Sequence, residues 1–205
     1  MIDTAALPET VRAFIALKLD PAVEAAITAL IDRLKAPDDG IRWVRPSNFH
    51  LTLFFLGPAV IRERLVPVAY ALEEIAAETA PFDLEVRGAG VLPDAARPRV
   101  LWVGLHAPEL IALAGRVAEA AERCGFQRER RGYLPHLTIA RVRTPRAWRA
   151  LRPKFEAVAA LRFGVSRVER LVLYRSEPGP QASTYTELAV FPFGGGRPAG
   201  VAGEN

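Results

Sequence analysis

Two stretches of sequence decide the fold: FHLTLFFL at residues 49–56 and LPHLTIARV at residues 134–142. Both contain a histidine followed by leucine, threonine and an aliphatic residue, at positions 50–53 and 136–139. The chain has three histidines, and two of them begin these tetrads. The surrounding residues are apolar and rich in β-branched and aromatic types, which is typical of β-strands. The repeat therefore predicts two equivalent strands that each supply half of one active site.

The alternation of side chains along a strand predicts what each tetrad exposes. The polar faces of the two strands would carry His50, Thr52 and Phe54 on the first strand, and His136 and Thr138 on the second. Burying polar side chains against an apolar core without hydrogen-bond partners is unfavourable, so we expect the polar faces of both strands to line a common cleft. Arg141 follows His136 by five residues. On a regular strand it would face away from the cleft, and only a β-bulge could turn it back.

The rest of the chain alternates predicted strands with predicted helices. Strands are predicted over residues 11–19, 43–44, 82–91, 100–105, 162–174 and 184–191. Helices are predicted over residues 21–34, 61–79, 108–124 and 145–159. Gly57-Pro58 is expected to close the first tetrad strand. No Gly-x-Gly-x-x-Gly pattern follows the first strand, so a doubly wound dinucleotide-binding fold is not indicated.

The spacing of the tetrads predicts the fold class. They lie 86 residues apart, and each follows a strand and a helix. This predicts an α+β, bilobal fold, in which two pseudo-symmetric antiparallel sheets backed by helices surround a central cleft. We expect residues 1–193 to form this single bilobal domain, because a chain of 205 residues can share one core. Residues 194–205 are rich in Gly, Pro and Ala and are expected to be a disordered C-terminal tail.

The composition is that of an ordinary globular protein, with half of the residues apolar and a quarter charged. No apolar run is long enough to span a membrane, and the N-terminus does not resemble a secretory signal, so we expect a cytoplasmic protein. Cys124 is the only cysteine, which excludes an internal disulfide and a cysteine-based zinc site. The formal charge of +4 fits an anionic partner such as RNA, and it equally fits a solvated surface with a small excess of arginine.

Two imidazoles that face one cleft can act as a general acid and a general base near neutral pH. Threonine hydroxyls beside them can donate hydrogen bonds to anionic oxygens. A zinc site would need three or four ligands, and no Asp or Glu accompanies either tetrad histidine. The sequence has no serine-nucleophile elbow and no phosphate-binding loop. A single strand histidine is more often structural, but the matched pair favours metal-independent acid–base chemistry on a phosphodiester.

These features resemble the two-histidine phosphoesterase superfamily, which is marked by a pair of His-x-Thr/Ser-x motifs in a bilobal fold. More closely, the chain resembles the RNA 2′,3′-cyclic phosphodiesterase family, formerly named 2′-5′ RNA ligases. The similarity rests on RAFIA at 12–16, HLTLFFLG at 50–57, RPRVLWVG at 97–104, PHLTIAR at 135–141, and residues 171–188 with Tyr174, Ser176 and Tyr185. It covers residues 11–193, and neither tetrad departs from the family pattern.

The resemblance implies hydrolysis of an RNA 2′,3′-cyclic phosphate to a 2′-phosphate end, without a cofactor or a metal. It also implies a role for each motif residue. His50 would donate a proton to the departing 3′ oxygen, and His136 would activate water. Thr52 and Thr138 would hold the non-bridging oxygens. The expected partner is RNA with a 2′,3′-cyclic phosphate end, for example a tRNA fragment, and the protein is expected to act as a monomer without a membrane.

Three further residues are candidate substrate contacts. Phe14 could stack on a base or simply fill the core. Arg130 and Tyr133 precede the second tetrad and could contact RNA, or they could belong to a solvated loop. Three alternatives for the same site stay open: 2′-5′ ligation of RNA, hydrolysis of a small cyclic nucleotide, and binding of RNA ends without catalysis.

Overall fold

The computed structural model describes residues 2–37, 39–128, 132–179 and 182–194. Nine strands run through these ranges: β1 (Thr10–Leu17), β2 (Ile41–Trp43), β3 (Leu51–Ile61), β4 (Phe82–Leu92), β5 (Val100–His106), β6 (His136–Val142), β7 (Arg162–Val168), β8 (Arg170–Glu177) and β9 (Thr184–Pro192). Four α-helices accompany them: α1 (Pro21–Leu34), α2 (Leu65–Ala77), α3 (Pro108–Arg123) and α4 (Pro145–Glu156). Short 3-10 turns lie at Pro46–Asn48 and Arg62–Arg64.

The strands form two antiparallel sheets, a first sheet with the order β3-β1-β8-β9 and a second sheet with the order β2-β6-β5-β4-β7. The two sheets repeat one pattern. In the first sheet the tetrad strand β3 pairs with β1, and β1 pairs with β8. In the second sheet the tetrad strand β6 pairs with β5, and β5 pairs with β4. This repeat confirms the predicted α+β fold with two pseudo-symmetric antiparallel sheets.

Each sheet is backed by two helices. Helices α2 and α3 contact each other and pack on the first sheet through β9 and β3. Helices α1 and α4 contact each other and pack on the second sheet through β7 and β6. We name these two units the first lobe and the second lobe. Because α1 follows a strand of the first sheet and packs on the second, while α3 does the reverse, the helices tie the lobes together.

Aliphatic side chains fill the space between sheets and helices. On α3 the buried residues recur every three or four positions, as in Leu110, Leu113 and Val117. The tetrad strands contribute Leu51 and Leu137, which are 1% and 0% exposed. Burying each such side chain stabilises the fold by about 1.5–3 kcal/mol. Most of the buried hydrophobic side chains form one connected cluster that extends through both lobes. A second, small cluster around Phe14 and Tyr174 lies on the opposite face of the first sheet.

The first tetrad strand is longer than predicted. Gly57-Pro58 is expected to close it, but β3 continues to Ile61, which pairs with Thr10. Strand β3 lies at the edge of its sheet, where a proline without an N–H is tolerated. Gly57 has a φ of +150°, a conformation that glycine adopts more readily than other residues. The helix predicted over 61–79 consequently begins later, at Leu65.

The prediction of a single strand over residues 162–174 is wrong. The segment forms two strands in different sheets, since β7 pairs with β4 and β8 pairs with β1. The break falls at Glu169, whose carbonyl accepts a hydrogen bond from the N–H of Phe193. Apolar residues occur in both strands, and the single residue between them, Glu169, is too short a link to be recognised as a turn, so the sequence alone does not mark where the chain passes from one sheet to the other.

The predicted C-terminal tail lies almost entirely outside the described residues. Gly194 is the last of these, and its N–H donates to the carbonyl of Ala76 at the end of α2. Residues 195–205 lie beyond it, and residues 129–131 of the basic loop are also outside the described ranges. No described helix is both long and apolar enough to cross a membrane.

Candidate active site

The first tetrad strand contains a β-bulge at the fourth position of its motif. Thr52 and Phe54 pair with adjacent residues of β1, so Leu53 has no partner. The extra residue turns the following side chains over. Leu53 and Phe54 both lie in the core, and Phe55, opposite Phe14, lies on the cleft face. The prediction that Phe54 lies on the polar face of its strand is therefore wrong.

The second tetrad strand contains the same bulge. Thr138 and Ala140 pair with adjacent residues of β5, which leaves Ile139 without a partner. Ile139 and Ala140 are both fully buried. Arg141 pairs with Val100, which is two residues from the partner of Thr138 on β5 and so lies on the same face. The strand is not regular, and the bulge brings Arg141 onto the cleft face, which is the exception that the sequence analysis named.

The two tetrad histidines are anchored in the same way. The Nδ1 of His50 lies 2.7 Å from the carbonyl oxygen of Asn48. The Nδ1 of His136 lies 2.8 Å from the carbonyl oxygen of Leu134. A carbonyl can only accept, so Nδ1 of each ring must be the protonated donor. This leaves Nε2 of each imidazole available to exchange a proton with a substrate or with water.

Aromatic rings surround His50. The ring of Phe14 lies 4.7 Å from the imidazole and that of Tyr185 lies 5.0 Å away, measured between centroids. Tyr174 stacks on Phe14 at 5.1 Å, and its ring lies 6.3 Å from the imidazole of His50. Phe14 is only 5% exposed, so its ring supports the imidazole of His50 and presents little open surface. Contact between Phe14 and a base stays a prediction.

The surroundings of His50 shift its protonation. Burial lowers the pKa of His50 below its usual value, and the hydrogen bond to the carbonyl of Asn48 opposes this shift. The charge of His136 lowers the pKa of His50 further. The two imidazoles therefore lie within electrostatic reach of each other, as one shared cleft requires. A neutral His50 is favoured in the free protein at neutral pH.

Beside His136 the second sheet contains two glycines, Gly90 and Gly104, and neighbouring groups pack closely against both of them. Gly104 pairs with His136, and Trp102 pairs with Thr138. The indole of Trp102 lies flat against Gly90, where any side chain would collide with it. The Trp102 Nε1–H is buried and has no hydrogen-bond partner among the described residues. The floor of this half of the cleft is thus a flat aromatic surface beside the second tetrad.

The other predicted site residues have the following positions. Thr52 and Thr138 are half-buried on the cleft faces of their strands. Tyr133 is 37% exposed, and burial raises the pKa of its hydroxyl, so the phenol stays protonated and can donate a hydrogen bond. Arg130 lies outside the described residues. The roles of all four in binding substrate stay predictions.

Asn48 is a residue of the site that the sequence motifs alone do not single out. Its carbonyl holds His50, and its side-chain amide donates to the carbonyl of Ser183, 2.7 Å away. Asn48 thus links the 3-10 turn before the first tetrad to the start of β9. The available sequence signal is the turn-forming Pro46-Ser47-Asn48 immediately before the motif.

The described residues contain no group of three or more His, Cys, Asp and Glu side chains that could bind a metal ion. The third histidine, His106, is exposed and lies 3.3 Å from the carbonyl oxygen of Arg87 through its Nε2. It lies outside both tetrads. Cys124 follows the last residue of α3, and its N–H donates to the carbonyl of Ala120.

The amino-acid sequence of this chain is similar to those of known proteins. A sequence profile of the 2′-5′ RNA ligase superfamily matches residues 19–179. The RNA 2′,3′-cyclic phosphodiesterase of Methanothermobacter thermautotrophicus is 34% identical over 182 residues, which is 88% of this chain and 98% of that protein. The protein of the same name from Aquifex aeolicus is 32% identical over 157 residues, which is 75% of this chain and 82% of that protein.

Solved structures share the fold over nearly the whole chain. A crystal structure from Thermus thermophilus is similar with a TM-score of 0.78 and 30% identity, covering 90% of this chain and 98% of that one. Escherichia coli LigT complexed with 3′-AMP is similar with a TM-score of 0.73 and 28% identity, covering 90% of this chain and 99% of that one. The similarity includes both tetrad strands, since it extends through both lobes.

Proposed function

The chain belongs to the 2′-5′ RNA ligase superfamily, and from that premise we propose that it is an RNA 2′,3′-cyclic phosphodiesterase. It would open the cyclic phosphate at an RNA end to a 2′-phosphomonoester. One observation carries the proposal. Two imidazoles, each anchored through Nδ1 to a main-chain carbonyl, are each followed by a threonine on a cleft face.

The proposed reaction is an acid–base displacement at phosphorus. Nε2 of His136 takes a proton from water, and the water oxygen forms a bond to phosphorus. The bond from phosphorus to the 3′ oxygen breaks, and Nε2 of His50 gives that oxygen a proton. Thr52 and Thr138 donate hydrogen bonds to the non-bridging oxygens, where negative charge is concentrated. The products are a 2′-phosphate and a free 3′-hydroxyl.

The role of His50 as the acid requires that the substrate restore its proton. Burial lowers the pKa of His50 in the free protein, which disfavours the imidazolium. A phosphate anion beside Nε2 favours the imidazolium by direct attraction, so substrate binding recharges the residue. The cation of Arg141, on the same face as Thr138, adds to the attraction for phosphate. An anion in the cleft thus favours the charged form of His50, which burial disfavours in the free protein.

The binding partner in the proposed reaction is an RNA molecule. The substrate is RNA that ends in a 2′,3′-cyclic phosphate, such as a fragment of tRNA, and neither a metal nor a cofactor takes part. E. coli LigT has been solved with phosphate and with 3′-AMP, which supports binding of a phosphate group by this chain. We further propose that residues 1–193 act as a monomeric, single bilobal domain in the cytoplasm.

One experiment tests the proposed function. A short RNA with a 2′,3′-cyclic phosphate end is incubated with the protein in EDTA, and the terminal nucleotide is then identified. We expect a 2′-phosphate to form. His136→Ala, prepared in parallel, should leave the cyclic end intact and so exclude a contaminating nuclease.

Three outcomes would contradict the proposal. They are turnover that requires added metal, binding of the cyclic end without any product, and a 3′-phosphate as the product. Joining of two RNA ends, or turnover confined to small cyclic nucleotides, would point to the alternative substrates of the same site.

A further inference from the structure

Arg42 lies on the cleft face of the second sheet, outside both tetrads. It belongs to β2, the edge strand, and pairs directly with Arg141 of the second tetrad strand. Residues that are directly opposite each other in an antiparallel pair project from the same face. Since Arg141 lies on the face of Thr138, Arg42 lies on that face too. The two arginines form a pair that begins beside the second tetrad and ends at the edge of the sheet.

The charges of this pair are not compensated by the protein. Neither Arg42 nor Arg141 forms a salt bridge with any carboxylate in the part of the chain that the structure describes. Other arginines of the same sheet do, such as Arg87 with Glu85 and Arg167 with Asp83. Like charges directly opposite each other on neighbouring strands are destabilising. An anion that binds between Arg42 and Arg141 would remove this repulsion.

The position of Arg42 indicates which anion would bind between the two arginines. Neighbouring strands are about 4.8 Å apart, so Arg42 lies one strand further from the tetrad residues than Arg141 does. An RNA substrate carries a second anion next to its cyclic phosphate, namely the phosphodiester that joins the last nucleotide to the one before it. A cyclic mononucleotide has no such group. A guanidinium is well suited to bind it through two parallel hydrogen bonds.

We propose that Arg42 binds the phosphodiester that precedes the cyclic phosphate, so that the protein prefers an RNA oligonucleotide over a cyclic mononucleotide. The inference rests on the proposed function, because it assumes that the cyclic phosphate occupies the cleft between the tetrads. It specifies the substrate class more closely: a chain of at least two nucleotides, which leaves the cleft across the edge strand β2.

The test compares two substrates in one variant. Values of kcat/KM are measured for uridine 2′,3′-cyclic phosphate and for a dinucleotide with the same cyclic end, with wild type and with Arg42→Gln. A lost hydrogen bond to a charged group should lower kcat/KM on the dinucleotide by about tenfold or more. The mononucleotide should react as fast as with wild type. The fall of kcat/KM with rising salt should also become weaker for the dinucleotide in the variant, because one charge–charge attraction that salt screens is lost.

Controls separate this inference from the proposed function. Arg149→Gln removes a cation from the exposed side of α4, away from the cleft, and should affect neither substrate. Arg42→Lys keeps the charge and should recover part of the lost rate on the dinucleotide. An equal loss on both substrates, or no loss on either, would overturn the role of Arg42. If wild type opens neither substrate, the proposed function fails instead.

Discussion

At the scale of single residues, His50 and His136 share an anchor but differ in their surroundings. Both rings are fixed through Nδ1 by a carbonyl two residues earlier. His50 is enclosed by Phe14 and Tyr185, whereas His136 lies opposite Gly104 of the neighbouring strand. The same motif can therefore hold two imidazoles with different proton affinities, which is what a reaction with one acid and one base requires.

Removal of either imidazole should abolish most of the activity. His50→Ala and His136→Ala are each expected to lower kcat by about 10²- to 10⁴-fold, because general acid or base catalysis is lost. Steady-state kinetics on a cyclic-phosphate RNA measure the effect, and circular dichroism shows whether the variants fold. His106→Ala is the comparison variant, since His106 belongs to neither tetrad and its Nε2 lies 3.3 Å from the carbonyl oxygen of Arg87. A similar loss in all three variants would contradict the assignment.

The pKa of His50 should depend on the ligand. In the free protein NMR titration should give a value below the usual 6.5 or so, because burial disfavours the imidazolium. Uridine 2′-monophosphate in the cleft should raise it, since the phosphate anion stabilises the charged ring. A pKa of His50 that is the same with and without the nucleotide would rule out its recharging by substrate.

The sign of this shift also predicts how stability depends on pH. The unfolded chain binds a proton at His50 more readily than the folded protein does, so unfolding takes up protons there. His50 therefore lowers the free energy of unfolding as the pH falls from about 6.5 through its folded-state pKa, and has no such effect at higher pH. Urea denaturation at several pH values should show a smaller acid loss for His50→Ala than for wild type. An equal loss would contradict the lowered pKa.

At the scale of elements, the sequence predicts the two tetrad strands well. It predicts only in part which of their side chains face the cleft. The predicted set of helices and most strands is confirmed, because periodicity and prolines mark them. The positions of Phe54 and Arg141 could not be predicted, since both depend on a bulge. A bulge is a property of the pairing with β1 or β5 and leaves no signal in the tetrad strand itself. The break between β7 and β8 likewise depends on which strands they pair with, so the sequence of this segment does not predict it.

Strands β4 and β5 approach each other closely at Gly104, beside His136, and leave no room there for a side chain. A Cβ added at Gly104 would lie 2.6 Å from the carbonyl oxygen of Arg87, a main-chain atom that cannot easily move. Gly104→Ala should therefore lower the free energy of unfolding by about 1–3 kcal/mol in urea denaturation. Gly115→Ala on α3 meets nothing within 4 Å and should instead raise it by about 0.5–1 kcal/mol. Equal effects of the two substitutions would contradict the packing described.

At the scale of the whole molecule, the two halves of the chain are interlocked. Strand β4 comes from the first half of the chain but pairs in the second sheet, and β8 comes from the second half but pairs in the first. Helices α1 and α3 each pack on the sheet that does not contain the preceding strand. The tetrads are thereby held across a cleft whose two sides share one hydrophobic cluster, so the distance between the imidazoles depends on both lobes together.

Interlocked lobes should unfold together, and the tryptophans can report this. All three, Trp43, Trp102 and Trp148, lie in the second lobe. Leu72 lies in α2 of the first lobe and is 1% exposed, so Leu72→Ala should lower the free energy of unfolding by about 2–5 kcal/mol. In a cooperative molecule this substitution shifts the urea midpoint of tryptophan fluorescence as far as that of far-UV circular dichroism. If the lobes were independent, the fluorescence midpoint would stay at the wild-type value while the circular dichroism split into two transitions.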